Sequence, residues 1–516
     1  MLIFLLVLIL LGLLAYLYAC HSPRKNISPS AYPWQDKITS TNLDEVVDDL
    51  MSEMTLREKV AQLSGDEGPF VMIKLGINVM LLGRFPNIYA GNNKRLKIPP
   101  ISFSDGPRGI VVDSATCFPV AMARAASWDV DLEARVGDAI AQEARAVGAN
   151  YFGGLCINLL RHPAWGRAQE CYGEDPYLMG EMAVALLQSV QNHHVMVCAK
   201  HFALNSIENS RFYVDVSADE KTLHEVYLPH FKRCVDAGVA SLMSAYNQFR
   251  GEYCGHNEYL LQTILREQWG FEGFVTSDWI WGVRDTLKPV RAGMDVEMPY
   301  GMYMGGKLYR ALKSGEVDIA HVDRNVRRVV RTKLDYVRRR DTQKYEPALL
   351  ACEKHRQLAQ LSAEQSMVLL KNEGLLPLDK GVVKKVLVVG ELADVANLGD
   401  HGSSRVSPPE TVTFLQGLRA YSGGRFEVLY CDGSDTGLLD EVAGQCDVIL
   451  IVAGYRHNDE GENLTSNRKP PPVEKQQKPQ VAEGGDRSSL SLHQHDIALI
   501  HRVSRRHDNV GVVLVG

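Results

Sequence analysis

Apolar and polar positions form two recurring patterns along this chain of 516 residues. Short apolar runs end on polar side chains, and they alternate with segments whose apolar residues lie three or four positions apart. One such segment carries apolar residues at positions 132, 136, 140, 144 and 147, as expected for an amphipathic helix. Strands that alternate with amphipathic helices over about 280 residues are typical of a single barrel domain. We therefore predict a TIM-type (β/α)8 barrel over residues 42–340.

A second set of apolar runs begins near residue 386. The runs at 386–390, 426–430, 448–452 and 510–515 are almost continuously apolar, which favours a parallel sheet covered on both faces. We predict an α/β sandwich domain over residues 385–516, joined to the barrel by a linker at 341–384. Residues 456–482 are polar and contain three consecutive prolines, so they predict a long mobile loop. Since the sequence stops after an apolar run, we expect this domain to be C-terminally incomplete.

The first 20 residues contain no charged side chain and are dominated by large apolar residues. Two interpretations stay open: a transmembrane anchor of about minimum spanning length, or a secretory signal. Residues 17–20, Leu-Tyr-Ala-Cys, resemble a bacterial lipoprotein box with Cys20 as the lipidated residue. A polar tether follows at 21–41. We therefore expect an exported protein, periplasmic or at the cell surface, held at the membrane by lipidated Cys20 or by an uncleaved helix.

The overall composition is that of an ordinary globular protein, with 45% hydrophobic and 23% charged residues. A formal net charge of -6 gives no reason to expect a nucleic-acid partner. Eight Lys or Arg residues lie between 324 and 340, but an apolar stripe runs through the same segment, so we interpret it as a helix with a solvated face. The ten cysteines lack metal-binding spacing, and we expect neither a disulfide framework nor a zinc site.

The strongest chemical signal is the run Gly-Phe-Val-Thr-Ser-Asp-Trp at residues 273–279. Hydrolysis of a glycosidic bond needs two carboxyl groups, and Asp278, at the end of a predicted strand, suits attack on carbon. Trp279 can offer an apolar face to a sugar ring. Taken alone, an aspartate after a strand is more often the cap of a helix. We retain Asp278 as the candidate nucleophile because polar motifs end the neighbouring apolar runs as well.

Those other motifs are individually ambiguous. Lys200 and His201 end one apolar run and could hold sugar hydroxyls, or be a core histidine beside a surface lysine. Asp105 precedes Gly-Pro, which is commonly just a turn. Arg161 and Arg167 could clamp a hydroxyl or tie a loop by an ion pair.

Taken together, in their order and spacing, these motifs resemble glycoside hydrolase family 3 in its β-glucosidase-like branch. The matching segments are residues 104–109, Arg161 with 166–167 and 173–176, then 200–202, 243–247 and 277–279. Residues 368–378 and 399–405 are similar to the start of that family's second domain. The resemblance runs from about residue 43 to the last residue. The family's second domain normally continues further, and a Pro is common where His493 stands.

The resemblance implies a retaining, exo-acting β-glycosidase without a cofactor or a metal. Asp278 would form the glycosyl-enzyme intermediate. The terminal sugar subsite would be lined by Asp105, Arg161, Lys200, His201, Arg211, Tyr246 and Trp279, with Met243 shaping the same pocket. Residues 481–487 resemble the segment that carries the family's acid/base, which assigns that role to Glu483. Glu460 and Glu462 stay open as alternatives, and Glu483 could also be a plain surface residue.

We expect β-glucosides as the first substrate class and β-xylosides next. A family branch that cleaves N-acetylglucosaminides uses a His–Asp pair on a barrel loop, but residues 200–205 lack the Pro-Gly continuation of that loop. A non-catalytic carbohydrate-binding lipoprotein and a structural role at the membrane are alternatives from other classes. The expected partner is an oligosaccharide or glycoside substrate. Whether a homodimer forms stays open.

Overall fold

The computed structural model of this chain describes residues 37–82, 85–339, 343–379, 381–463 and 485–516. The predictions for residues 1–20 and for most of the tether lie outside these ranges, and so does Glu483. Across the described ranges, no helix combines the length and the apolar character needed to cross a membrane.

The described secondary structure alternates strands and helices along the chain. The strands are β1 (Ile88–Ala90), β2 (Ile101–Ser104), β3 (Tyr151–Cys156), β4 (Met196–Phe202), β5 (Asp215–Val216), β6 (Ser241–Ser244), β7 (Gln248–Phe249), β8 (Glu252–Tyr253), β9 (Phe274–Thr276), β10 (Lys385–Val389), β11 (Glu427–Cys431), β12 (Val448–Gly454) and β13 (Val510–Val515). The α-helices of three turns or more span Leu43–Glu53, Val71–Leu82, Val130–Ala146, Pro176–Asn192, Ile319–Arg338, Glu353–Ser366 and Gln494–Ser504. Shorter α-helices span Leu56–Gln62, Ala121–Ala126, Glu220–Thr222, Pro229–Asp236, Lys288–Ala292, Gly306–Ser314, Phe414–Ser422 and Thr436–Ala443. The segments Leu223–Tyr227 and Tyr259–Gln268 are π-helical, and single 3₁₀ turns span Ala168–Glu170, Cys254–His256, Pro347–Leu349 and Glu391–Asp394.

The first domain is a closed barrel. Its central sheet has the order β1-β2-β3-β4-β6-β9, and isolated bridges complete the ring from Thr276 to Val296, from Glu297 to Ser64 and from Gly65 to Ala90. The expected TIM-type barrel is therefore confirmed, with one departure from a strictly parallel arrangement. Strand β1 runs antiparallel to β2. Because of this reversal, the residues just before β1 lie at the edge of the barrel where the parallel strands end.

The helices pack on the barrel through the apolar stripes seen in the sequence. In the helix Ile319–Arg338, the apolar positions 322, 326, 329, 330 and 334 are completely buried, while the arginines between them reach solvent or pair with acidic residues. The helix Leu43–Glu53 ends at its C-cap, Met54. Thr55 and Glu58 form a capping box there, which begins a second short helix.

The second domain is built on a four-stranded parallel sheet in the order β11-β10-β12-β13. The two central strands are buried on both faces, as their continuous apolar sequence predicts. Strand β13 is an edge strand, and its side chains are only partly covered. Residues 464–484, which include most of the predicted mobile loop, lie outside the described ranges. The backbones of Gly461 and Gly485 pair on either side of that segment.

Candidate active site

A cavity of about 410 Å³ lies at the carboxyl ends of the barrel strands. Residues 401–403 and Glu462 of the second domain form its opposite wall. The polar and aromatic residues that line it include Asp105, Arg167, Lys200, His201, Arg211, Tyr246, Asp278 and Trp279, and Met243 lines it too. Eight of the ten predicted site residues therefore face one cavity; the other two are Arg161 and Glu483.

Asp278 lies two residues after β9 and is almost completely buried. Its Oδ1 accepts the backbone N–H of Trp279 at 2.7 Å, and its Oδ2 lies 3.6 Å from Nε2 of His201. Burial raises the pKa of the Asp278 carboxyl, whereas the positive charges of Arg211, Arg167 and Lys200 act in the opposite direction. These cations favour the carboxylate form, which is the form able to attack an electrophilic carbon.

Lys200 and His201 are neighbours in β4, and both line the cavity. Adjacent residues of a regular strand point to opposite faces, but the register between β4 and β6 shifts between Lys200 and Phe202. The Lys200 Nζ donates to Oδ1 of Asp105 at 2.6 Å. This ion pair fixes both side chains and presents an ammonium group and a carboxylate side by side to a hydroxyl-bearing ligand.

His201 is held as a neutral imidazole. Burial, together with the charges of Arg167, Lys200 and Arg211, lowers its pKa well below the usual range. Its Nδ1 lies 2.9 Å from Oδ1 of Asn158, which can only accept a hydrogen bond. We therefore assign the ring proton to Nδ1, so that Nε2 accepts from Nη1 of Arg167 at 3.3 Å.

Two buried arginines close the site on the side of the second domain. Arg167 forms a bidentate pair with Glu170, with distances of 3.0 and 2.7 Å. Arg211 lies over the Tyr246 ring and contacts both Glu208, at 3.1 Å, and Glu462 of the second domain, at 3.0 Å. Because planar guanidinium groups bind oxygens in fixed directions, this network sets the shape of the pocket rigidly.

Arg161 is the exception among the described candidates, and its predicted role is corrected. Its side chain is exposed, and its guanidinium lies 5.6 Å from the centre of the Tyr227 ring instead of in the cavity. Arg167, from the same loop, faces the cavity in its place. The physical reason is the pair with Glu170, which holds Arg167 inward, whereas residues 161–163 are exposed on the outside of the loop.

The aromatic residues of the site support one another. The Tyr246 hydroxyl donates to the backbone oxygen of Trp279 at 2.8 Å. The Trp279 ring packs on Phe103 with 4.4 Å between ring centres. An indole fixed from behind in this way leaves its other face to the cavity, where an apolar sugar face can pack on it.

Glu462, which the sequence left as an alternative acid, lines the cavity. Burial acts to raise its pKa, but Arg167, Arg211 and the N–H of Ser403 outweigh burial and hold the pKa well below its ordinary value. It is therefore a carboxylate that accepts hydrogen bonds. Glu460 does not line the cavity; it pairs with Arg487 at 3.0 Å, and burial raises its pKa.

Sequence reasoning missed Glu208, which is completely buried between the two domains. It accepts hydrogen bonds from Nε1 of Trp165 at 3.3 Å and from the backbone N–H of Asn463 at 3.2 Å, and it pairs with Arg211. Burial raises its pKa to about 7. Glu208 lies three residues before Arg211. This spacing would have identified Glu208 as a buried partner of Arg211 only if Arg211 had already been known to be buried.

Comparison with known proteins gives consistent matches. Residues 87–332 match the family model of the glycosyl hydrolase family 3 N-terminal domain, and residues 367–516 match that of the C-terminal domain. Thermostable beta-glucosidase B of Acetivibrio thermocellus is 34% identical over 82% of this chain, and a beta-glucosidase of Rhizobium radiobacter is 36% identical over 78%. An exo-alpha-(1->6)-L-arabinopyranosidase of Bifidobacterium longum is 31% identical over 81%. The chain spans 56%, 48% and 56% of these three relatives.

Solved structures agree with this assignment. A GH3 beta-glucosidase from Bifidobacterium adolescentis superimposes with a TM-score of 0.75 at 28% identity, and the match covers 90% of this chain and 63% of that protein. Beta-glucosidase 3B from Thermotoga neapolitana, in complex with glucose, gives a TM-score of 0.76 at 26% identity, covering 91% and 68%. Both domains and their order are thus accounted for, and the chain belongs to glycosyl hydrolase family 3.

Proposed function

We propose that this protein is a retaining, exo-acting β-glycosidase whose first substrate class is β-glucosides. The observation that carries the proposal is the placement of Asp278, a buried carboxylate with three cationic side chains around it, inside a cavity lined by polar and aromatic groups of the kind that bind sugars. A cavity closed by the barrel on one side admits the end of a glycan chain and not its middle, which supports exo action. The relatives named beta-glucosidase support the choice of glucose.

In the first step Asp278 attacks the anomeric carbon and forms a glycosyl-enzyme ester while the aglycone oxygen takes up a proton. Asp105 and Lys200 present an acceptor and a donor to neighbouring sugar hydroxyls. The neutral His201 and Arg167 hold the other side of the ring, with Trp279 packed on its apolar face. These groups are fixed by one another before substrate binds, so little reorganisation accompanies the reaction.

Glu483 is our proposed acid/base. Its support is the sequence of residues 481–487 and the attachment of the described residues that follow it. Gly485 pairs with Gly461, and Asp486 accepts the backbone N–H groups of Gly166, Glu208 and Asn209. This segment is therefore fastened to the barrel loops beside the cavity. Glu462 is the less suitable acid, since its low pKa keeps it ionised at neutral pH.

A second sugar class deserves testing because of the arabinopyranosidase among the relatives. Activity should be measured on aryl β-glucosides, β-xylosides, N-acetyl-β-glucosaminides and α-L-arabinopyranosides. The proposal expects the highest kcat/KM on the β-glucoside.

Trapping of the covalent intermediate tests the nucleophile directly. Residues 21–516 are incubated with 2,4-dinitrophenyl 2-deoxy-2-fluoro-β-glucoside, and the adduct is located by intact mass and peptide mapping. We expect one sugar adduct on Asp278, none in Asp278→Asn, and normal labelling in Asp131→Asn, which changes an exposed aspartate. An adduct on another residue contradicts the assignment. A folded protein that binds glucose without forming any adduct supports the non-catalytic, carbohydrate-binding alternative.

We also propose export and membrane attachment, on the basis of the uncharged segment 1–20 and Cys20. Cell fractionation of the full chain and of Cys20→Ala tests this. Release of Cys20→Ala from the membrane fraction supports lipidation, retention supports an uncleaved helix, and a cytosolic full-length chain contradicts both.

A further inference from the structure

We propose that the cavity contains an apolar aglycone subsite that selects glycosides of alkyl or aryl alcohols over glycosides whose aglycone is another sugar. This inference rests on the proposed function, because it names the substrate class of the same site. The inference depends on the part of the cavity wall that lies next to the charged residues and is built from apolar side chains.

That wall is almost entirely apolar. Four segments contribute eight of its apolar side chains, which are Leu75, then Phe85, Pro86 and Ile88, then Val111 and Val112, and finally Ile280 and Trp281. From the facing second domain, His401, Ser403 and Glu462 add polar side chains, and Glu462 is already paired with Arg211. Two of the segments are joined by backbone contacts: Phe85 forms a bridge with Val112, and the Asp113 N–H donates to the Phe85 oxygen at 3.4 Å. The wall is thus an assembled surface and not a chance grouping of loop residues.

Ile280 makes the link between this wall and the reacting carboxylate, since it lies two residues after Asp278. Its φ is +64°, and the Trp281 N–H turns back to the Trp279 oxygen at 2.6 Å. The Ile280 N–H is held by the Met298 oxygen at 2.9 Å. A left-handed conformation is strongly disfavoured for a β-branched residue, and such strain concentrates at ligand-binding sites. Here the strained backbone places a branched apolar side chain in the cavity wall.

The charged groups of the site offer little to a second sugar. The Lys200–Asp105 pair is taken up by the terminal sugar, and Arg211 is paired with Glu208 and Glu462. The hydroxyls of a sugar aglycone that face the apolar wall would lose water without gaining partners, which is costly; only those that face the second domain could reach His401 or Ser403. An alkyl or aryl aglycone gains free energy from the same burial in proportion to its apolar area.

Binding of hydrolysis-resistant ligands tests the subsite separately from catalysis. Titration calorimetry on residues 21–516 would compare hexyl and methyl 1-thio-β-glucosides. We expect the hexyl compound to bind at least tenfold more tightly. Asparagine tolerates a positive φ, so Ile280→Asn should preserve the backbone conformation while it makes this part of the wall polar. We expect this variant to lower the ratio of hexyl to methyl affinity at least threefold. Ile319→Asn, the same change at an exposed position outside the cavity, should leave the ratio unchanged.

A second variant covers the event that Ile280→Asn does not fold. Val112→Thr conserves shape and adds one hydroxyl to the wall, so the ratio should again fall, while Val382→Thr at an exposed site should not change it. Equal affinities for the hexyl and methyl compounds in the wild type overturn the inference. So does a kcat/KM for cellobiose equal to or above that for hexyl β-glucoside. If no glycoside is turned over, the proposed function fails, but the affinity ratio still decides the subsite.

Discussion

At the scale of single residues, the site is a set of mutually fixed charges. Lys200 is held by Asp105, Arg167 by Glu170, and His201 by Asn158. Glu170 and Asn158 are almost completely buried and Asp105 is largely buried, so the removal of any one of them leaves a charged or polar group that water cannot readily solvate. The two arginines of the loop after β3 illustrate the consequence: only Arg167 has such a partner inside the protein, and only Arg167 lines the cavity.

We predict that the same substitution has different effects on activity at these two arginines. Arg167→Lys keeps the charge but loses the bidentate geometry, so kcat/KM for an aryl β-glucoside should fall about 100-fold, equivalent to about 2.7 kcal/mol. Arg161→Lys should stay within twofold of the wild type. Steady-state kinetics decide this, with thermal unfolding to show that both variants fold. Equal losses in the two variants would contradict the placement of Arg167.

Glu208 gives a prediction about pH. Its pKa is about 7 in the folded protein against an ordinary 4.5, which corresponds to about 3 kcal/mol. Between these values the folded state binds the proton that the unfolded chain has lost, so this residue makes stability fall as pH rises from about 4.5 to 7. Glu208→Gln removes that contribution. Urea unfolding at several pH values should therefore show the variant gaining stability relative to the wild type across this window. A difference that does not change with pH would exclude an elevated pKa.

At the scale of elements, the barrel strands position the side chains of the site, and the helices pack around the barrel. Strand β1 is the informative departure, since its reversed direction brings Phe85 and Pro86 to the catalytic edge. The helix Ile319–Arg338 shows the opposite case. The eight Lys or Arg residues between 324 and 340, six of them in this helix, could suggest a nucleic-acid surface, but the apolar stripe of the helix is completely buried on the barrel.

That packing predicts a large cost for truncation. Leu334→Ala removes a completely buried side chain from this helix and should lower the free energy of unfolding by about 2–5 kcal/mol. Arg324→Ala, on the exposed face of the same helix, should change it by less than about 0.5 kcal/mol. Urea denaturation followed by circular dichroism measures both. Equal, small effects would mean that the helix is not part of the core.

At the scale of the whole molecule, the site exists only where the two domains meet. Arg211 of the barrel bonds Glu462 and the Asn463 oxygen of the second domain, and Arg108 bonds the oxygens of Asp400 and Ser404. Asp486 accepts three backbone N–H groups from two barrel loops. These contacts couple the position of the second domain's loop to the geometry of the barrel.

Loss of the Asp486 contacts should affect the proton donor more than the nucleophile. Asp486→Ala should reduce kcat/KM for phenyl β-glucoside at least tenfold, because a poor leaving group needs protonation. The effect on 2,4-dinitrophenyl β-glucoside should be much smaller, and Asp131→Ala should change neither. The measurement is kcat/KM across aryl glucosides of graded leaving-group acidity. Equal losses over the series would argue against a role for this segment in placing the acid.

Local patterns in the sequence were sufficient for much of this protein. The apolar runs at 386–390, 448–452 and 510–515 and the stripe within 324–340 became strands and the helix Ile319–Arg338, within a few residues of their predicted bounds. Motif order led to the family, and polar residues at strand ends led to Asp278, Lys200 and His201. These predictions succeed because strand periodicity, helix periodicity and strand direction act over short stretches of chain.

Only the tertiary structure decided how distant residues meet. It chose Arg167 over Arg161, which depends on which arginine finds a buried carboxylate. It placed Glu462 in the cavity as an ionised hydrogen-bond acceptor, and it buried Glu208 between the domains with a raised pKa. It also reversed β1 and gathered four separate segments into one apolar wall. The sequence determined the elements and the reactive residue types, because those follow from local spacing; burial and charge pairing arise from contacts across the whole chain, so they appeared only in the folded structure.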